Sequence, residues 1–208
     1  MYAPSPFYSE DPKIAKTLVD MIVMGTLVTA EISLQGSPLP FMIDIDNTGN
    51  GRLISHMDKR NPLWKDLESG KEVLVIFWGP NAYISPALYT TTPRVPTWVY
   101  ATVHIKGTPR LIKDAEGVDK IVTDLCNYME KPDSGWSIEQ VSGYKSRILN
   151  GIVGFEIDIA ATMSQVRLAQ QNDQPDIEAL YKGLASGSSG DRQVAELMKK
   201  MSIVETTL

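Results

Sequence analysis

The sequence predicts an α+β protein, mainly β with peripheral helices, built around an antiparallel barrel. Three observations predict it. Six or seven runs alternate apolar and polar residues or are dense in β-branched ones, the period of a strand. Turn clusters join neighbouring runs, the strongest being Asn47-Thr48-Gly49-Asn50-Gly51. The longer helical patterns come late. No βαβ alternation, GxGxxG or P-loop is present, so a Rossmann or NTPase reading has no support.

Residues 1–11 read as extended and turn-rich. Asp11 is a good N-cap and Pro12 suits a first turn, so a helix starts there, with Ile14, Leu18, Val19 and Ile22 facing a core and Gly25 ending it. Thr26 to Ile32 reads as a strand. Gly36-Ser37-Pro38 reads as a turn, and Leu39 to Ile45 as the returning strand, with Phe41, Ile43 and Ile45 on one side. The Asn47–Gly51 turn leads into Arg52-Leu53-Ile54-Ser55 and His56. Pro62 to Leu67 is a short helix and Ser69-Gly70 a turn. Val73 to Trp78 is almost wholly apolar, which fits a strand covered on both faces, in a barrel or at a subunit interface. Gly79-Pro80 is expected to break it before a short strand over 81–86. Residues 87–96 form a loop of the kind that lies over sites, and Thr97 to Pro109 a long strand. Ala115 to Glu130 is an amphipathic helix with Val118, Ile121, Val122, Leu125, Cys126 and Met129 in its stripe. Ser137 to Leu149 is another, Gln140 standing at capping-box spacing. Gly151 to Leu168 is a final strand, Gln170 to Pro175 a linker, and two short helices follow over 176–185 and 190–201. The expected division is a barrel domain with inserted helices over 1–172 and a helical extension over 173–208.

With 208 residues, 43% hydrophobic and 22% charged, the composition is that of a soluble globular chain. A net charge of −5 and no clear helix-turn-helix argue against a nucleic-acid partner. The single cysteine, Cys126, excludes an internal disulfide and thiolate clusters. Neither a secretory signal nor an apolar run of membrane-spanning length is evident, so a cytoplasmic location and no membrane partner are expected.

The stretch Arg52 to Trp64 carries the chemistry. His56, one of two histidines, arrives at the end of a strand, followed by Lys59, Arg60 and Trp64. An imidazole beside two cations suits a flat anionic cofactor, since one ring nitrogen can ligate a metal while the other is held by a hydrogen bond. Lys and Arg pair with phosphate or propionate. The plainer alternative is a histidine bonded to its loop among surface cations. His104, mid-strand, reads as a satisfied core histidine, and Trp64, Trp78 and Trp98 as packing groups.

Several segments together carry a resemblance: Met1-Tyr2-Ala3-Pro4, Gly25-Thr26-Leu27-Val28-Thr29, His56 through Trp64, Gly79 through Pro86, Val95-Pro96-Thr97-Trp98 and Gly151 through Phe155. In these the chain resembles the PaiB-like proteins, the FMN-binding negative transcriptional regulator family. The resemblance implies an FMN-binding split β-barrel of the flavin-reductase and pyridoxamine-phosphate-oxidase type, acting as a homodimer with the cofactor at the subunit interface. The chain departs from the family pattern at Pro38, Val99, Ala87-Leu88-Tyr89 and Gln165 through Gln171, places where the family carries polar groups suited to a flavin. His56 is retained. That combination is similar to the family's haem-dependent piperazate synthase branch, which makes an N–N bond from N5-hydroxyornithine.

The resemblance therefore implies haem b, with His56 as metal ligand, Lys59, Arg60, Trp64 and Arg167 as further cofactor-binding residues, and Tyr89, Arg94 and Thr97 as catalytic-site contacts to a hydroxylated diamino acid, the small-molecule substrate. The alternative is FMN in a regulator without turnover. A third reading is a homodimeric barrel that has lost its cofactor.

Overall fold

The computed structural model describes residues 1–131 and 133–204. The end of the expected 173–208 extension, 205–208, lies outside the described residues. Eight strands and six helices follow in the order β1 (Tyr8–Ser9), α1 (Pro12–Ile22), β2 (Met24–Thr29), β3 (Gln35–Pro40), β4 (Met42–Ile45), β5 (Gly51–Asp58), α2 (Trp64–Leu67), β6 (Val73–Ile84), β7 (Thr97–Ile112), α3 (Ala115–Met129), α4 (Ser142–Ile148), β8 (Ile152–Arg167), α5 (Gln174–Ala185) and α6 (Ser189–Lys200). Hydrogen bonding runs β3-β2-β6-β7-β8-β5-β4, and β1 pairs with β8. The path is open: no ladder joins β3 to β4 among the described residues. No described helix is long and apolar enough to cross a membrane.

Two compact units share the chain, with β6, β7 and β8 each running from one into the other. One comprises Glu10–Phe77 and Val103–Met163. Its core is built by the inward faces of β5 and β8, where Leu53 and Met57 stand opposite Ile157 and Val153, and by Phe41, which meets Phe77 and Phe155 edge-on with centroids 5.6 and 6.0 Å away. Leu18 and Val19 of α1 are fully buried, and Asp11 caps α1 by accepting from Lys13 N at 2.8 Å, as its position predicts. The hairpin turn is closed by Asp46, which accepts from Thr48 and Asn50, while Gly49 takes φ 91°, a conformation glycine adopts without a Cβ clash. Helix α3 buries Val118, Ile121, Val122 and Leu125. Cys126 is half-buried and Met129 exposed, so the stripe is narrower than its periodicity suggests.

The other unit comprises Met1–Ser9, Trp78–Thr102 and Ser164–Leu208. Helices α5 and α6 bury Ile177, Leu180, Leu184, Val194, Leu197 and Met198. Ser188 and Asp191 form a capping box at the start of α6.

Four expectations need correction. Gly36-Ser37-Pro38 is not a turn but the middle of β3, paired with Val28, Leu27 and Thr26. As an end strand β3 has one free edge, where a proline is tolerated because no ladder bond is needed on that side. The expected strand over Leu39 to Ile45 is two strands, parted at Phe41. Gly79-Pro80 does not end β6. The strand runs through, but its buried residues change phase between Gly79 and Ala82, the slip a bulge produces. The helix expected over Ser137 to Leu149 divides into a 3₁₀ turn, Ile138–Val141, and α4. No capping bond forms at Ser137, and Gln140 instead donates to Gly135 O at 3.3 Å. The other face of Val73 to Trp78 is only partly covered in the single chain, with Trp78 58% exposed.

Candidate functional site

His56 lies on β5 directly opposite Gly154 of β8. Alternation along β5 buries Leu53, Ser55 and Met57 and leaves Arg52, Ile54 and His56 on the other, half-open face. His56 is half-buried, and its Nδ1 is enclosed with no hydrogen-bond partner. Burial lowers its pKa below the ordinary histidine value, which keeps the ring neutral near pH 7. A neutral imidazole is the form that ligates a metal.

The loop after β5 is held by its own groups. Lys59 donates from Nζ to Asn150 O at 2.7 Å, and the Trp64 indole donates to Lys59 O at 2.9 Å. Lys113 sits 5.1 Å over the Trp64 ring and also pairs with Glu68. Arg60 is exposed and paired with Asp58, whose carboxyl it holds at a pKa of about 2. Arg60 is thus already matched by one carboxylate. Lys59 has two ammonium hydrogens beyond its bond to Asn150 O.

Tyr89, Arg94, Thr97 and Arg167 belong to the other unit. The structure assembles them as two pairs. Arg94 stacks over the Tyr89 ring at 4.8 Å, and Arg167 donates to Thr97 Oγ1 at 3.0 Å. Arg94 also donates from Nε and Nη2 to Thr91 Oγ1 at 3.1 and 2.7 Å, from Nη1 to Asn172 Oδ1 at 3.2 Å, and forms an ion pair with Asp176. One Nη1 hydrogen is left of the five that a guanidinium carries.

Asp176, Thr90, Thr91 and Asn172 were not among the sequence candidates. Asp176 lies 82 residues beyond Arg94 in the chain, and nothing in its spacing marks the pairing. Asx and Thr residues near a proline read locally as turn and cap formers. His104 is half-buried, with its pKa lowered chiefly by burial.

His56, a neutral, half-buried imidazole with an unmatched ring nitrogen, has the chemistry of a haem ligand, and Lys59 follows three residues later in the chain. Two of the positions that depart from the family pattern offer no free polar group. Val99 is buried and apolar, and Gln170 is consumed in bonds to Leu168 N and Val166 O. Among the described residues no group of three or more His, Cys, Asp or Glu is placed to hold a bare metal ion.

Comparison with known proteins places the chain. The family model described as "Putative FMN-binding domain" matches residues 1–161. The "Protease synthase and sporulation protein PAI 2" of Bacillus subtilis is 28% identical over 204 residues, covering 96% of this chain and 97% of that protein. Two solved structures share the fold at 13% identity. The flavocytochrome Anf3 from Azotobacter vinelandii superposes with a TM-score of 0.59 over 85% of this chain and 78% of its own. The FAD and heme binding protein from Mycobacterium smegmatis does so with 0.58 over 87% and 80%. By the span of its match and by its open antiparallel sheet with peripheral helices, the chain belongs to the FMN-binding domain family of PaiB-like split-barrel proteins.

Proposed function

We propose that this chain is a cytoplasmic, haem-dependent enzyme that cyclises N5-hydroxy-L-ornithine to L-piperazate, with His56 as the ligand to the iron of haem b. The observation that carries the reading is the His56 ring, held neutral by burial and enclosed with an unmatched Nδ1. A bound haem would supply a Lewis acid that polarises the N–O bond of the substrate. In the reaction the α-amine attacks the hydroxylated nitrogen, an N–N bond forms and the N–O bond breaks. The hydroxyl takes up the one proton that the α-amine releases and leaves as water, so no external oxidant or reductant is required.

The chain's own part is binding and orientation. Closing a six-membered ring from a flexible diamine requires both nitrogens to be held near each other, which a fixed set of contacts does at large effective concentration. Arg94 retains one Nη1 hydrogen for a substrate carboxylate, Tyr89 offers a hydroxyl and a ring face, and Thr97 a hydroxyl oriented by Arg167. Lys59, Arg60, Trp64 and Arg167 are the remaining proposed cofactor contacts, with Arg60 keeping three guanidinium hydrogens beyond its pair with Asp58. Residues 173–208 are proposed as the helical extension. The working form is proposed to be a homodimer, consistent with Trp78, Tyr83, Val95 and Trp98 being exposed in the single chain.

A second reading is favoured by the family match over residues 1–161: an FMN-binding, PaiB-type regulator without turnover. A visible spectrum of the purified protein separates the two. Haem gives a Soret band on hemin titration, lost in His56→Ala, and the loaded protein converts N5-hydroxy-L-ornithine to a product lighter by one water. Uptake of FMN with no response to hemin overturns the haem reading.

A further inference from the structure

Asp176 is a fully buried carboxylate on the first turn of α5. An acidic residue there ordinarily serves its own helix, either through the dipole or by bonding back to the cap. Here Asp173 at the N-cap makes no side-chain capping bond. Asp176 turns outward to the segment between β6 and β7 instead. Its Oδ1 accepts from Thr90 N at 2.7 Å, Thr90 Oγ1 at 2.5 Å and Thr91 N at 3.2 Å. Its Oδ2 accepts from Thr91 Oγ1 at 2.7 Å and from the Arg94 guanidinium. Every one of these donors comes from the stretch 90–94.

The set closes on itself. Thr91 Oγ1 donates to Asp176 and accepts from Arg94, so one hydroxyl links the two charged groups. Arg94 then carries the constraint to the Tyr89 ring and to Asn172. Leu88 adds an apolar anchor, since a Cβ at Gly183 of α5 would lie 2.8 Å from Leu88 Cδ2. These hydrogen bonds to the charged form, those of Thr90 and Thr91 foremost, drive the carboxyl pKa far below the ordinary aspartate value.

We propose that Asp176 is the positioning residue for the Tyr89–Thr97 segment. It sets the guanidinium of Arg94 and, through it, the Tyr89 ring, and so makes α5 part of substrate recognition. The role in recognition rests on the reading that Tyr89, Arg94 and Thr97 contact substrate. The role as a clamp does not. Because Asp176 neutralises Arg94, the segment presents a directed hydrogen-bond donor rather than a free positive charge. That arrangement discriminates by geometry more than by charge, and it suits the carboxylate of a small zwitterion better than a polyanion.

The test uses the full-length chain and two pairs of variants, Asp176→Asn with Asp176→Glu, and Thr91→Val with Thr91→Ser. The first readout is trypsin cleavage at the Arg94–Val95 bond, followed by mass spectrometry. In the parent chain Arg94 is engaged, and that bond is expected to resist. Asp176→Asn and Thr91→Val are expected to be cut there about tenfold faster, the consequence of losing one charge-assisted or buried hydrogen bond. Asp176→Glu and Thr91→Ser, which keep the charge and the hydroxyl, restore resistance at least in part. The second readout is turnover of N5-hydroxy-L-ornithine. KM rises about tenfold in Asp176→Asn, while the Soret band of the hemin-loaded protein stays in place. If Asp176→Asn does not fold, the Thr91 pair decides. Unchanged cleavage in the loosened variants overturns the clamp. Faster cleavage with an unchanged KM overturns its part in recognition. Failure of the parent chain to bind hemin or turn over substrate defeats the proposed function instead and leaves the proteolysis result to decide the clamp.

Discussion

Gly154 stands directly across the β5–β8 ladder from His56, and the space that its side chain would occupy belongs to Ile121 of α3. A Cβ there would lie 2.8 Å from Ile121 Cδ1 and 3.4 Å from Ile112 Cβ. The helix therefore sits low over the strand pair because its neighbour at that point is a glycine.

This relationship predicts a graded pair of substitutions. In Gly154→Ala the nearest atom is the tip of a flexible side chain, so Ile121 can shift, and the loss is expected to be about 1–2 kcal/mol. In Gly107→Ala the added carbon would lie 2.2 Å from the Asp158 carbonyl oxygen, a backbone atom of β8 that cannot yield without breaking the ladder. That change is expected to exceed about 4 kcal/mol. Urea titrations of the two variants check the order. If Gly107→Ala is the milder, strand packing at that point is not as described.

Acid should weaken the fold through His56. Its folded pKa is depressed by burial, so the unfolded chain binds the proton more readily. The contribution is complete above the unfolded value of about 6.5 and declines as pH falls through it, levelling off below the folded pKa. His104 is shifted in the same direction. Melting temperature should therefore rise between pH 5 and pH 7 by a few degrees, on the order of 2–4 °C per kcal/mol. His56→Gln should flatten that rise, and His56→Gln with His104→Gln should flatten it further. An unchanged slope in the double variant would assign the acid response elsewhere.

The strand order was not legible in the sequence, but most of the strands were. Period-two alternation marks β5, which buries one face and leaves the other half-open, and it marks β7 and β8 although both bury consecutive residues at 101–103 and 153–155. It misplaces β3, because Gly36 and Pro38 are turn formers by local chemistry, and only the pairing with β2 makes the segment a strand. His56 was legible as a rare residue beside cations. The engagement of Arg60 by Asp58 and of Lys59 by Asn150 was not, since it depends on side-chain directions. Asp176 was invisible for a different reason: its partners lie more than 80 residues earlier, and each reads locally as an ordinary loop residue.

Asp66 predicts a loss out of proportion to the atoms removed. It is 2% exposed and accepts from Thr29 Oγ1 at 2.7 Å, while its other oxygen has no partner. Thr29→Val keeps the shape of the side chain, but leaves the buried carboxyl without that donor. The expected loss is about 1–3 kcal/mol. Thr29→Ser, which retains the hydroxyl, should stay within about 1 kcal/mol of the parent. Differential scanning calorimetry at pH 7.5 compares them. Equal melting of the two variants would mean that the hydroxyl carries none of the stability.

Trp64 separates packing from ligand contact. Its indole donates to Lys59 O, closing the loop that follows His56, while Lys113 lies over its ring. Trp64→Phe keeps a ring under the ammonium and removes only the hydrogen bond, for an expected loss of about 0.5–1.5 kcal/mol. Trp64→Leu removes the cation–π contact as well, adding about 0.5–1 kcal/mol at an exposed site. If Trp64 also borders the cofactor, hemin affinity should fall further in Trp64→Leu than in Trp64→Phe, because a leucine offers no flat surface to a porphyrin. Equal hemin affinity in the two variants, with the stability difference intact, would confine Trp64 to holding the loop.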